Sequence, residues 1–289
     1  MLRPIVLTTD CGAEIDDQFA LAHQALSPVI DLRAVITTHI GEHKTLGDSA
    51  SAFTAASAQD VLSNLPLATV PDVVAGAPLP LAAKGQPRSG AGADRILAEA
   101  SGFSADARLS VLAIGAVTDV ASALLLDSTL AERIEVLAMG YNAWPDGGDP
   151  FNVKNDIFAW QALLDSSVPL TVGDSAVCKA PLVLTPESVG TRFPETAAAA
   201  YIEGLFKAGV EAHPKICRFV TGDERGWPIW DQVTTAYLLG MTDAVEHPRP
   251  RLADDISFVH DGADRTPLTW ITRVDEERLW ADLAILLAA

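Results

Sequence analysis

Four carboxylates fall close together near the N-terminus, at Asp10, Glu14, Asp16 and Asp17 in the run TTDCGAEIDDQ. Acids crowded into one turn repel each other and hold their protons more tightly. A hard divalent cation removes the conflict, because Ca²⁺ and Mg²⁺ prefer carboxylate, carbonyl and water oxygens. A capped helix is the competing account, since acids in a first helical turn complement the helix dipole. It covers Asp16 or Asp17, but explains Asp10 poorly, because that residue ends an apolar run. With Gly12 available to make the turn, the residues favour an acidic metal site.

The surrounding elements give that turn a place. Residues 4–9 (PIVLTT) read as a short buried strand and residues 17–26 (DQFALAHQAL) as a helix. Further strands at 32–38, 70–75, 109–114, 134–139 and 170–172 alternate with helices at 49–62, 93–100, 117–126 and 156–164. Apolar strands alternating with helices predict a mostly parallel open α/β sheet covered on both faces. Near the C-terminus, 256–260 and 268–274 flank DGADR and read as an antiparallel hairpin, followed by a helix over 275–287. No repeat or linker breaks the pattern, so residues 1–289 are expected to form one domain.

Open parallel sheets bind ligands beyond the carboxyl ends of their strands. The polar residues that follow each strand are therefore candidates. They include His39, Glu42 and His43 after the second strand, Thr118 and Asp119 further on, and Trp144 and Asn152 in the loop 140–155. His39 and His43 read as loop histidines, and His23 as a packing or surface residue of the first helix. Cys11 reads as a small buried filler.

Bulk properties narrow the partners. The 289 residues carry 20 basic and 38 acidic side chains, a formal charge of −18. Nucleic-acid polymers and anionic membranes need a positive footprint, which this chain lacks. Its three cysteines are far apart, against a disulfide framework or a zinc–thiolate site. The apolar start is too short for a signal-peptide core, so a cytoplasmic location is expected.

Residues 5–21 (IVLTTDCGAEIDDQFAL) resemble the N-terminal signature of the inosine–uridine nucleoside hydrolase family, written DTDPGxDDxxAL. Residues 34–38 (AVITT) resemble its GITT strand and 73–77 (VVAGA) its PVxxGA segment. Residues 112–121 (LAIGAVTDVA) are similar to LALGPLTNIA. Met139-Gly140 with 151–156 (FNVKND) is similar to MGG…EFNxxxD, and 230–233 (WDQV) to HDPLA. None of these pieces is specific alone; six in order are. The resemblance implies a Rossmann-like core and hydrolysis of an N-ribosidic bond with one Ca²⁺. Its ligands would be Asp10, Asp17, Asp231 and the main-chain carbonyl of Thr118. Asp10 would act as general base toward a water on the ion. Asp16 and Asn152 would hold ribose hydroxyls, with Asp231 near them. A small nucleoside or ribosyl substrate and a homodimer or homotetramer are the partners it implies. The chemistry is coherent: a cation lowers the pKa of water, and adjacent carboxylates stabilise an oxocarbenium-like sugar.

Several positions depart from the family pattern. Thr8 replaces the first Asp, and Ala13 and Glu14 lengthen the turn. Glu42 stands where the family has Asn, Pro150 where it has Glu, and Trp230 where it has His. The metal half of the site is thus retained, while the sugar and base edges change. Glu42 remains a candidate substrate residue, and Trp230, Trp227 and Trp144 are candidates to stack against a flat leaving group. Two alternatives fit the departures: a metal hydrolase of another glycoside, or a non-catalytic pentose- or nucleoside-binding member.

Overall fold

The computed structural model describes residues 2–41, 46–149 and 151–289. Its sheet grows from β1 (Arg3–Thr9), in which Ile5, Val6 and Leu7 are all fully buried. Successive strand residues point to opposite faces. Ile5 and Leu7 accordingly pack with Phe19, Leu21, Val61 and Leu62, while Val6 packs with Ile36, Val111 and Val120 on the other side. Burial on both faces explains why the strand reads as a continuous apolar run.

The chain continues through α1 (Asp16–Leu26), β2 (Ile30–Thr37), α2 (Ala50–Ser63), β3 (Asp72–Ala75) and α3 (Ala91–Ala100). It then passes through β4 (Leu109–Ala113), α4 (Thr118–Leu126), β5 (Ile134–Met139) and β6 (Leu170–Gly173). The eight strands lie in the order β3-β2-β1-β4-β5-β6, then Leu268–Val274, then Thr242–His247. All pairings are parallel except the last. After β1 the chain builds outward through β2 and β3, then returns to place β4 on the other side of β1. The crevice between the carboxyl ends of β1 and β4 is therefore the topological switch point, where such sheets bind ligands.

The α/β fold and its C-terminal antiparallel pairing match the sequence reading, but the paired strands do not. Leu268–Val274 pairs with Thr242–His247, whereas Phe258–Val259 pairs with Arg251–Leu252. The DGADR segment is instead tied by Asp261, which takes ion pairs from Arg251 and Arg265. Thr242–His247 escapes a sequence search because it is the sheet edge, with four of its six residues exposed. Helices Pro186–Arg192, Ala197–Ala212 and Pro214–Thr221 fill a region whose periodicity the sequence reading leaves unassigned. No helix among the described residues is long and apolar enough to cross a membrane.

Candidate active site

β1 delivers Asp10 to the switch point, and α1 opens with Asp16 and Asp17 one turn of loop later. Asp231 arrives from far along the chain, immediately before the helix Gln232–Leu238. Carboxylate oxygens of Asp16, Asp17 and Asp231 all lie within 4.8 Å of one another, and all three side chains are buried. The Thr9 hydroxyl donates to Asp17 Oδ1, so the last residue of β1 orients the first turn of α1. Asp10 stands beside this triad, close enough to repel both Asp17 and Asp231.

Crowding has an electrostatic signature. Burial pushes the Asp10 carboxyl up to about 8, and repulsion from Glu14, Asp16 and Asp149 adds to it. Burial, then Asp17, pushes Asp16 up to about 8. Glu14 also rises to about 8, through burial and then repulsion from Asp16 and Asp149. Asp17 and Asp231 are raised well above the usual carboxylate range, again chiefly by burial. Such a set of oxygens is poorly tolerated without a hard cation and well suited to one.

Two glycines make the packing possible. A Cβ at Gly115, just after β4, would sit 2.6 Å from Asp10 Oδ1 and 2.7 Å from Thr38 Oγ1. Gly12 has φ +91, and a Cβ there would sit 2.5 Å from Ser57 Oγ. Gly115→Ala is expected to push the Asp10 carboxylate out of place and lower any turnover at this site about a hundredfold, the scale of an ångström-sized misplacement in a catalytic site. Steady-state kinetics beside an unchanged circular-dichroism spectrum checks this; activity within threefold of the wild type refutes it.

Thr118, the first residue of α4, sits in a buried chain of hydrogen bonds. Gly41 N donates to His39 Nδ1 at 3.0 Å, which leaves the proton on Nε2 to bond Thr118 Oγ1 at 2.7 Å. Thr118 Oγ1 in turn donates to Asp156 Oδ2 at 2.6 Å. The backbone N–H groups of Leu81 and Ala159 also donate to Asp156. Burial, then the Arg88 charge, lowers His39 to about 4, so it is a neutral member of the chain. His39 lies in the loop after β2, as the sequence reading has it, but it is fully buried and bonded to the start of α4. Its partner lies 79 residues away, which no local pattern reveals.

The remaining candidates are placed unequally. Asn152 Nδ2 donates to the carbonyls of Ile114 and Met139, at 3.0 and 3.2 Å, anchoring it across the ends of β4 and β5. Trp230 is half-buried, with its indole N–H on Ser175 Oγ at 3.1 Å. Trp227 is buried against it, ring centroids 6.4 Å apart and nearly perpendicular. Trp144 stacks on His247 at 4.2 Å and meets His260 edge-on, so one of its faces is already covered. Glu42, His43 and Pro150 lie outside the described residues. His23 is fully buried and hydrogen-bonded at both ring nitrogens, a polar partner that the sequence reading did not assign.

The model of the inosine–uridine preferring nucleoside hydrolase family matches residues 5–281. The chain belongs to that family. Membership makes it an enzyme that hydrolyses N-ribosyl bonds. The fold is similar to that of a plant nucleoside hydrolase, at 16% identity over 100% of both chains with a TM-score of 0.77. It is also similar to a purine-preferring ribonucleoside hydrolase from Gardnerella vaginalis, at 16% identity, 98% and 100% coverage and a TM-score of 0.78. An inosine–guanosine nucleoside hydrolase gives 17% identity, 100% and 99% coverage and a TM-score of 0.76. At such identities these three share the fold with this family member. No curated protein matches it in sequence.

Proposed function

We propose that this chain, acting as one domain, is a Ca²⁺-dependent hydrolase of the N-glycosidic bond of a ribonucleoside. The observation that carries the reading is the buried convergence of Asp16, Asp17 and Asp231 within 4.8 Å, with Asp10 beside them. All these donors are oxygens, the set a hard divalent cation takes. Asp10, Asp17, Asp231 and the Thr118 carbonyl are the proposed holders of the ion. When bound, such an ion lowers the pKa of water and offsets the charge of the cluster.

The protein groups divide the rest of the work. Asp10 accepts the proton of the attacking water on its carboxylate, as general base. Asp16 accepts a hydrogen bond from a ribose hydroxyl. Asn152, whose Nδ2 is committed to two backbone carbonyls, presents its Oδ1 to another. The carboxylates stabilise positive charge growing on the sugar as the bond breaks. Trp230, rather than Trp144 with its covered face, offers aromatic surface to the leaving base. Two of the similar structures are named for purine or inosine–guanosine substrates, and that supports a flat purine here.

The test is release of reducing sugar from inosine, guanosine, uridine and an aryl riboside, with Ca²⁺ or after chelation. Ribose release from at least one nucleoside, abolished by the chelator and restored by Ca²⁺, is expected. Turnover of the aryl riboside alone would move the reading to another glycoside. No turnover of any substrate at saturating Ca²⁺ would remove it.

A further inference from the structure

α1 carries two of the three converging carboxylates, and the helix Gln232–Leu238 begins beside the third. Their separation therefore depends on how these two helices are locked together. The lock is polar and buried. His23 of α1 has no exposed side-chain surface, and its Nδ1 lies 3.1 Å from Gln232 Oε1. Its Nε2 lies 2.9 Å from Asp282 Oδ2, on the C-terminal helix Glu276–Leu287. Gln232 Nε2 donates to the Phe19 carbonyl at 3.1 Å, which orients the amide with Oε1 toward His23. Both ring nitrogens thus have an oxygen partner, each on a different neighbouring helix. Gln24 Nε2 adds a 3.0 Å bond to Thr235 Oγ1 one step further along the same helix pair.

We propose that His23, hydrogen-bonded on one side to Gln232 and on the other to Asp282, is the positioning residue that sets Asp231 against the Asp16–Asp17 pair and so tunes affinity for the divalent cation. The inference rests on the metal reading of the site given above. A histidine that merely filled space would not have oxygen partners at both nitrogens. Groups behind metal ligands commonly change metal affinity by about 10- to 100-fold when removed. The linkage reaches the surface at Asp282, whose side chain is 39% exposed, so it can be cut there without opening the core.

Calorimetric titration of Ca²⁺ into the chelator-stripped full-length protein tests this. Asp282→Ala and His23→Leu are each expected to raise the Ca²⁺ Kd about tenfold. The double variant is expected to bind no more weakly than His23→Leu alone, because both changes cut one linkage. An unchanged Kd in folded Asp282→Ala overturns the proposal even if its Tm falls, since the contact would then be structural only. Asp282→Ala keeps the test open should His23→Leu fail to fold. If the wild type binds Ca²⁺ and Asp231→Asn does not, while both linkage variants bind normally, the linkage alone fails. If the wild type binds no divalent cation, the metal reading fails with it.

Discussion

Asp10→Asn is expected to lower kcat by about three orders of magnitude, within the range of about 10²–10⁴ that a positioned proton acceptor contributes. Asparagine keeps the size of the side chain and fits the same space against Gly115, where no Cβ intervenes. What it loses is the basic oxygen and one negative charge. Removing that charge also relieves repulsion on Asp17 and Asp231, both of which Asp10 pushes up. The variant should therefore be at least as thermally stable as the wild type when metal-free. A variant that is stable, folded and nearly inactive separates a chemical role from a structural one. Asp16→Asn should behave differently, raising KM as well as lowering kcat, because its proposed partner is a ribose hydroxyl. Kinetics of ribose release at saturating Ca²⁺ decides the matter. Asp10→Asn turnover within tenfold of the wild type would assign the base elsewhere.

The parts of this site that the sequence reveals are those fixed by local periodicity. A buried strand, a glycine turn and an acidic helix start lie within one short run, so Asp10, Gly12, Asp16 and Asp17 could be placed on sight. The strand–helix alternation likewise predicts the parallel sheet, and the observed order puts the β1–β4 crevice at the acidic turn. Asp231 has no such local frame; only its place in an ordered series of segments points to it. What escaped detection depends on distant partners. His39 and His23 look alike in sequence, as lone histidines near the first two strands. One meets Thr118 and the other meets Gln232 and Asp282, 209 and 259 residues away. Residue type shows what a side chain can bond, not what folding brings to it. The misassigned hairpin has the same origin. Phe258–Val259 and Leu268–Val274 both look like strands, but partner choice is long-range, and the true partner of Leu268–Val274 is a polar edge strand. Trp144 shows the same dependence: the aromatic is visible in the site loop, but not the distant His247 that stacks on one of its faces.

The second large effect concerns stability, and its sign follows from the raised carboxyls. Asp10 and Asp16 ordinarily ionise near 3.8 and Glu14 near 4.5, whereas in the metal-free fold burial and mutual repulsion move each to about 8. A carboxyl raised in the folded state contributes most below its unfolded value, and that contribution is lost as pH rises through the folded one. The chelated protein should therefore lose Tm steadily between about pH 4.5 and pH 8.5. Ca²⁺ is expected to reverse the trend, since the proposed site takes it through the ionised carboxylates that the bare fold disfavours. At a hundredfold excess over Kd a ligand adds about 2.7 kcal/mol. For a chain of this size that corresponds to a Tm gain of roughly 4–5 °C. The gain should be larger at pH 8 than at pH 5.5, where protons compete for the same oxygens. Differential scanning fluorimetry across this range, with Ca²⁺ and with chelator, reads both arms. In Asp231→Asn the Ca²⁺-induced gain should vanish, since one arm of the triad is gone. A chelated protein whose Tm rises from pH 5.5 to pH 8 would mean that the acidic cluster is balanced by something other than a cation.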